Sequence, residues 1–177
     1  MRLLPTLLAT LTLAPGCQRD ATYPSRSATV ICPWGAGGGT DRISRYFADA
    51  LRARYDSPFV VVNKTGGSGA TGHSFGANAR PDGHTITMIT PELSTMYQLG
   101  ITELTYQKFR PILQMNADPA AIIVAADSPW PDIQSFIASI KAAPETVKMS
   151  GTAAGGTWDL ARVGMLQAVG LQRESVI

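Results

Sequence analysis

Three stretches of this 177-residue chain combine bare backbone with short polar side chains. They are Pro33-Trp-Gly-Ala-Gly-Gly-Gly-Thr-Asp-Arg42, Asn63-Lys-Thr-Gly-Gly-Ser-Gly69 and Ser150-Gly-Thr-Ala-Ala-Gly-Gly-Thr157. Each follows an apolar run and precedes a segment with helical features. The first N–H groups of a helix have no partner within it, and the helix dipole adds partial positive charge there. Glycine lets a ligand approach the backbone closely. Together these make an anion site that needs no Lys or Arg. One helix terminus contributes about 0.3–1 kcal/mol when exposed and up to ~2 when partly buried. Micromolar binding needs about 8 kcal/mol. The turns can therefore hold one small anion only by converging on it with several backbone hydrogen bonds. Taken singly, each is also an ordinary strand-to-helix turn.

Rival chemistries share these residues. Gly67-Ser-Gly-Ala-Thr-Gly72 fits the dinucleotide fingerprint, with Glu92 after the next strand as its acid. It stands in the second strand–helix unit rather than the first, and an exported protein rarely meets NAD. Gly72-His-Ser-Phe-Gly76 fits the nucleophile elbow, with Ser74 as nucleophile. The elbow needs a strand running straight into the Ser, and here a glycine-rich loop precedes it. The only later histidine is His84, with Asp82 two residues before it. No Gly-Lys-Ser/Thr phosphate loop occurs, and His73 and His84 lack metal-ligand spacing with Cys or carboxylates. No cofactor or metal is expected. Asp118 and Asp127 read as turn residues, and Trp130 as packing. Trp34 and Trp158 sit in or beside glycine loops and read either as cleft wall or as core.

The elements that must position the loops follow from periodicity. Ala28 to Pro33, Phe59 to Val62 and Thr85 to Thr90 read as buried strands. A helix capped by Thr40 or Asp41 has Ile43, Tyr46, Phe47, Ala50 and Leu51 on one face. Ala70 to Ala79 reads as a helix weakened by Gly72 and Gly76. Arg80-Pro-Asp-Gly83 is a turn. Alternation at this spacing predicts a parallel sheet with flanking helices. Beyond Pro91, Glu92 to Leu99 reads as a short helix. Pro111 to Gln114, Ala120 to Ala125 and Val147 to Ser150 read as strands. Pro131 to Ala142, with Ile133, Phe136, Ile137 and Ile140 on one side, and Thr157 to Val169 read as helices.

The chain is 45% hydrophobic and 16% charged, which is a globular composition. Its net charge is +2 on 15 basic and 13 acidic residues, so nucleic acid is not an expected partner. Arg2, the apolar run Leu3 to Leu13 and the exit Ala14-Pro-Gly-Cys17 have the layout of a secretory signal. The apolar run is shorter than the ~20 residues a spanning helix needs. Ala14 to Cys17 resembles a lipobox, so lipidation of Cys17 and membrane association through a lipid anchor are expected. Cys32 lies in an apolar run and reads as a buried small hydrophobe. Residues 18–27 read as a tether without structure of its own.

With these residues in order, the chain resembles the solute-binding receptors of tripartite tricarboxylate transporters, the Bug-type family. The resemblance runs from about Tyr23 to about Gly170. It is carried by Tyr23-Pro-Ser-Arg26, Pro33 to Asp41, Val61-Val-Asn63 with Gly66 to Gly69, Arg80 to Thr85, and Ser150 to Thr157. It implies an α/β fold like type II periplasmic binding proteins, with parallel-rich sheets, flanking helices and an incomplete second domain. The implied order is 1–17 signal, 18–27 linker, 28–114 first ligand-binding domain, and 115–177 start of the second domain. The implied function is capture of a small carboxylate metabolite in the periplasm and its delivery to membrane permease subunits, without enzymatic activity. Carried over, the ligand-binding positions are Trp34, Gly35, Ala36, Gly37, Gly38, Thr40 and Asp41 in the first turn. Ser68, Gly69, Ala70 and Thr71 form a neighbouring wall. Gly151, Thr152, Ala153, Gly155, Gly156 and Thr157 lie in the third turn. Asp159 stands where the family often has His. Family chains continue for roughly another domain, so the isolated chain is expected to bind poorly or to fold only in its first domain. The competing readings are an exported hydrolase using Ser74 and a sensing receptor that reports to a signalling protein.

Overall fold

The computed structural model describes residues 22–151 and 155–176. The signal segment, Cys17, Thr152 and Ala153 lie outside the described residues. One parallel sheet is present among them, with β1 (Ala28–Cys32) at the centre, β2 (Phe59–Asn63) on one side and β3 (Thr85–Thr87) on the other. Ala28 pairs with Phe59 and Cys32 with Asn63, while Thr29 pairs with Thr85. β1 is apolar on both faces because both are covered, as parallel sheets require. Val30, Ile31 and Cys32 are fully buried. Each such Val or Ile contributes roughly 1.5–3 kcal/mol by leaving water. The Cys32 thiol is buried as expected, and it donates to the Trp34 carbonyl at 3.5 Å. The third strand is shorter than the periodicity predicts, although Met88 still donates to Ile31 O at 2.9 Å.

α1 (Gly39–Tyr55) connects β1 to β2. Its cap is Gly38, with extended backbone, and neither Thr40 nor Asp41 holds that position. Asp41 is one turn further in and receives its hydrogen bond from Gly37 N, before the cap. The buried stripe is Asp41, Ser44 and Ala48, flanked by Ile43, Phe47 and Leu51. Tyr46, expected inside, is 74% exposed, and Ala50 is exposed. Two polar residues can occupy the inner face because both are satisfied there. Ser44 Oγ donates to Thr40 O at 2.7 Å, and Asp41 is bonded on both oxygens.

α2 (Ala70–Ala77) is short and rich in glycine. Packing explains the glycines. A Cβ on Gly72 would lie 2.6 Å from Pro33 Cα and 2.7 Å from Lys64 O, and one on Gly76 would run into Thr87. α3 (Glu92–Gln98) follows β3. α4 (Ile133–Ala142) starts at a capping box: Asp132 Oδ1 accepts from Ser135 N at 2.7 Å, and Ser135 Oγ accepts from Asp132 N at 3.4 Å. α5 (Thr157–Ala168) follows the third glycine turn.

The runs 111–114, 120–125 and 147–150 are not strands. Ile112 is 72% exposed and Ile123 is 89% exposed. A strand exists only where a second backbone takes its N–H and C=O groups. Among the described residues no strand lies beside these runs, so apolar composition alone leaves them irregular. Two core clusters result. Ala28, Val30, Ala48, Phe59 and Met88 form one, with Met115 packed against it. Phe136, Ile140, Val147, Leu166, Leu171 and Val176 form the other, with Trp130 edge-on to Phe136 at 5.2 Å. Residues 22–27 have neither helix nor strand, yet they are docked rather than free. Tyr23 donates to Gly83 O at 2.9 Å, Arg26 pairs with Asp82 at 2.9 Å, and Ser27 donates to Pro58 O at 3.3 Å.

Candidate functional site

The first turn is shaped by Asp41. Gly37 takes φ 84°, where an L side chain is strained, and its N–H donates to Asp41 Oδ2 at 2.8 Å. Arg45 forks onto both Asp41 oxygens at 2.9 Å, and Asn63 Nδ2 donates to Oδ1 at 2.8 Å. The same Asn63 amide donates to Trp34 O at 2.8 Å. The Arg45 guanidinium, then the Gly37 and Asn63 amides, hold the Asp41 carboxyl well below the usual carboxylate range. Its oxygens are committed to the loop. Gly35 to Gly39 remain exposed.

The second turn is a run of left-handed residues. Gly66, Gly67, Ser68 and Gly69 all have positive φ, before α2 begins. Gly69 brings this turn against the first one. A Cβ there would sit 3.5 Å from Trp34 Cζ2 and 3.1 Å from the His73 ring. His73 is fully buried. Its Nε2 accepts from Thr90 N at 3.3 Å, so its Nδ1 carries the proton and donates to Gly69 O at 2.7 Å. Burial pushes the imidazole pKa down and keeps the ring neutral.

The third turn repeats the first. Gly155 takes φ 77° and donates to Asp159 Oδ2 at 2.8 Å. Gly156 caps α5 at φ −74°, ψ 166°, close to the φ −71°, ψ 172° of Gly38. Arg162 donates to Asp159 Oδ1 at 2.6 Å, and Arg173 reaches Oδ2 at 3.1 Å. Arg162, then the Gly155 amide, hold the Asp159 carboxyl below its ordinary value.

Thr90 joins the three turns. Its N–H goes to His73, which holds Gly69. Its Oγ1 accepts from Trp34 Nε1 at 3.2 Å. An indole N–H can only donate, so Thr90 Oγ1 accepts there, and the Thr90 hydroxyl helps hold the nearby Glu92 carboxyl in its charged form. The buried Glu92 carboxylate in turn accepts from Thr157 Oγ1 at 2.6 Å and Thr157 N at 3.2 Å. Burial pushes the Glu92 pKa up. The Thr157 and Thr90 hydroxyls and nearby backbone amides outweigh that and hold it below its ordinary value. Glu92 is therefore an anion at neutral pH.

Trp34, Gly69 and Thr157 thus belong to one hydrogen-bonded and packed assembly. Gly151 lines a cavity of about 350 Å³ with Trp158, Asp159, Arg162 and Arg173, and no residue of the first two turns lines it. Ser74 lies within α2. Both nitrogens of the neighbouring His73 are committed, and those of His84 face Asp82 O and Ser25 Oγ. Neither imidazole is placed to take a proton from Ser74. Sequence reasoning left Thr90 and Glu92 out of the site, because each acts through partners distant along the chain. The repeat of Gly37-Gly38-x-x-Asp41 as Gly155-Gly156-x-x-Asp159 was the available signal for Asp159.

In an open parallel sheet, the crevice beyond the carboxyl ends of the strands, where the first two turns lie, is where ligands bind. The chain has the fold of the periplasmic binding proteins. It matches over 85% of its length a TctC solute-binding protein from Polaromonas, with 39% identity and TM-score 0.65. It matches a periplasmic transporter structure over 85% of its length, with 26% identity and TM-score 0.71. A third structure, R. palustris Rpa4515 with adipate, shares 24% identity at TM-score 0.66 and covers 88% of this chain. Residues 43–176 match the tripartite tricarboxylate transporter family receptor model, and the chain belongs to that family. A UPF0065 protein from the tcbD–tcbE intergenic region of Pseudomonas sp. strain P51 is 28% identical over 87% of this chain. Protein BugT of Bordetella pertussis is 26% identical over 84% of it. The chain spans about half the length of these relatives, 46% of each of the two proteins and 52% of the Polaromonas and R. palustris structures. The family is one of solute-binding receptors.

Proposed function

We propose that this chain supplies the ligand-gripping turns of a periplasmic receptor that captures a small carboxylate metabolite and delivers it to the membrane subunits of a tripartite permease. The observation that carries this reading is the linkage of Trp34, Gly69 and Thr157 through Thr90 and Glu92. It brings together three glycine turns, of which the first exposes Gly35 to Gly39 beside a helix start suited to an anion. The ligand-binding positions in this reading are Trp34 to Asp41, Ser68 to Thr71 and Gly151 to Thr157. Asp41 acts by shaping its turn, and its carboxylate does not touch the ligand. The R. palustris neighbour with adipate supports a carboxylate as the ligand class. The two core clusters support two units, although Met115 still packs on the first cluster, so the reading of 28–114 and 115–177 places the boundary slightly early. Cys17 in this reading carries a lipid that tethers the receptor to the membrane.

Ligand-observed NMR on the purified chain tests the proposal, because it reads weak binding as well as tight. Saturation transfer to mono-, di- or tricarboxylates, but not to their uncharged amides, is the expected result. No transfer to any carboxylate above the amide controls overturns it.

A further inference from the structure

The three buried acids around the turns differ in one respect. Asp41 is neutralised by Arg45, and Asp159 by Arg162 and Arg173. Glu92, 6% exposed, has no cationic partner among the described residues. It is held by hydroxyls and amides alone. Hydrogen bonds stabilise its charge without cancelling it. Its charge partly opposes the burial that pushes the His73 pKa down, so it is felt within the assembly that joins the turns. The Glu92 carboxylate also occupies the Thr157 N–H at the start of α5. The third turn therefore already holds an anion supplied by the protein.

We propose that Glu92 determines specificity: it excludes a second ligand carboxylate from the α5 end of the site and selects a monocarboxylate whose far end is a hydroxyl or an ammonium. This rests on the carboxylate-receptor reading. The ligand carboxylate goes to the first backbone N–H groups of α1, those of Gly39 and Thr40, since Gly38 N–H already donates to Gly35 O. Near Thr157 the ligand meets a fixed negative charge. There a donor or a cation is favoured, and a like charge is penalised.

The test is a matched series of four to six carbons, each length as the dicarboxylate, the ω-hydroxy acid and the ω-amino acid, titrated into the wild-type chain and Glu92→Gln. The expected wild-type result is a preference of about tenfold or more for the hydroxy or amino acid over the dicarboxylate of equal length, corresponding to about 1.4 kcal/mol. Glu92→Gln narrows or reverses that ratio. A wild-type preference for the dicarboxylate overturns the proposal and leaves the receptor reading standing. So does an unchanged ratio in Glu92→Gln. If Glu92→Gln does not fold, the wild-type ratio decides. If no member of the series binds the wild type above the amide controls, the receptor reading falls and this proposal falls with it.

Discussion

Gly155 N–H donates to the Asp159 carboxylate at 2.8 Å, the same bond at the same length that Gly37 gives to Asp41. The two turns lie far apart in sequence and share a left-handed glycine, an extended glycine cap and an acid at the third position of the helix that follows. In each, the acid is fixed from behind by arginine. The repeated device fixes both turns from behind; in the first it leaves Gly35 to Gly39 exposed, whereas in the third Thr157 N–H is taken by Glu92. It also gives Asp159 a role in place of the histidine that family resemblance leads one to expect.

If Asp159 orders the third turn, its removal should destabilise the second unit. Asp159→Ala loses three charge-assisted bonds and leaves Arg162 without its anion. A loss of roughly 1.5–3 kcal/mol is expected, the range for a hydrogen bond to a charged group. Urea denaturation followed by Trp fluorescence measures it. The folded-state pKa of Asp159 is depressed. Its contribution is therefore full above the unfolded carboxylate value near 3.9 and is lost as pH falls from there through the lower folded value. A midpoint that is insensitive to Asp159→Ala at pH 7 contradicts the role.

His73 gives the opposite kind of titration. Burial depresses its pKa, and the neutral ring bridges Gly69 and Thr90. The unfolded chain protonates near pH 6.5, before the folded one does. Stability from this group is thus fully present above about pH 6.5 and declines as pH falls below it. The denaturation midpoint should drop between pH 7.5 and 5.5, and His73→Gln should flatten that segment of the profile. Equal slopes in wild type and variant would refute the assignment.

α2 shows where helix propensity misleads. Gly72→Ala and Gly76→Ala ought to stabilise a helix by up to ~1 kcal/mol. Here each Cβ has no room, against Pro33 and Lys64 for Gly72 and against Thr87 for Gly76. Both are expected to destabilise, by roughly 1–3 kcal/mol. Gly164 in α5 is the control, since a Cβ there meets nothing within 4 Å. Gly164→Ala should raise Tm while the other two lower it. Ser74→Ala, between the two tight glycines, should leave carboxylate binding unchanged, and a loss of binding would reopen the nucleophile reading.

These positions show what could be read from the sequence. The central strand, its neighbours and α1 were legible because apolar runs and 3.6-residue spacing are local signals. The inner face of α1 was misplaced because Asp41 and Ser44 look polar until Gly37, Asn63 and Thr40 satisfy them. Gly72 and Gly76 read as helix weakness because the surfaces they press on belong to other elements. Residues 111–125 carry strand-like composition without a neighbouring strand. Thr90 carried no motif, and Glu92 carried only its place in the rejected dinucleotide fingerprint. Their roles follow only when β3, α3 and α5 are brought together.

The third turn can be separated from the first by one further experiment. Gly37 and Gly155 both have positive φ, so alanine at either costs about 1–2 kcal/mol from the left-handed backbone alone. Around Gly37 a Cβ meets nothing, whereas at Gly155 it would run into Leu99 at the end of α3. Gly155→Ala should therefore cost more than Gly37→Ala, and Leu99→Ala should remove the excess. In a double-mutant cycle, the Gly155→Ala penalty measured in the Leu99→Ala background should fall to about that of Gly37→Ala. Additive penalties would mean that Leu99 does not pack on the third turn. Glu92 would then be the tie between α3 and α5, and Glu92→Gln should loosen it alone.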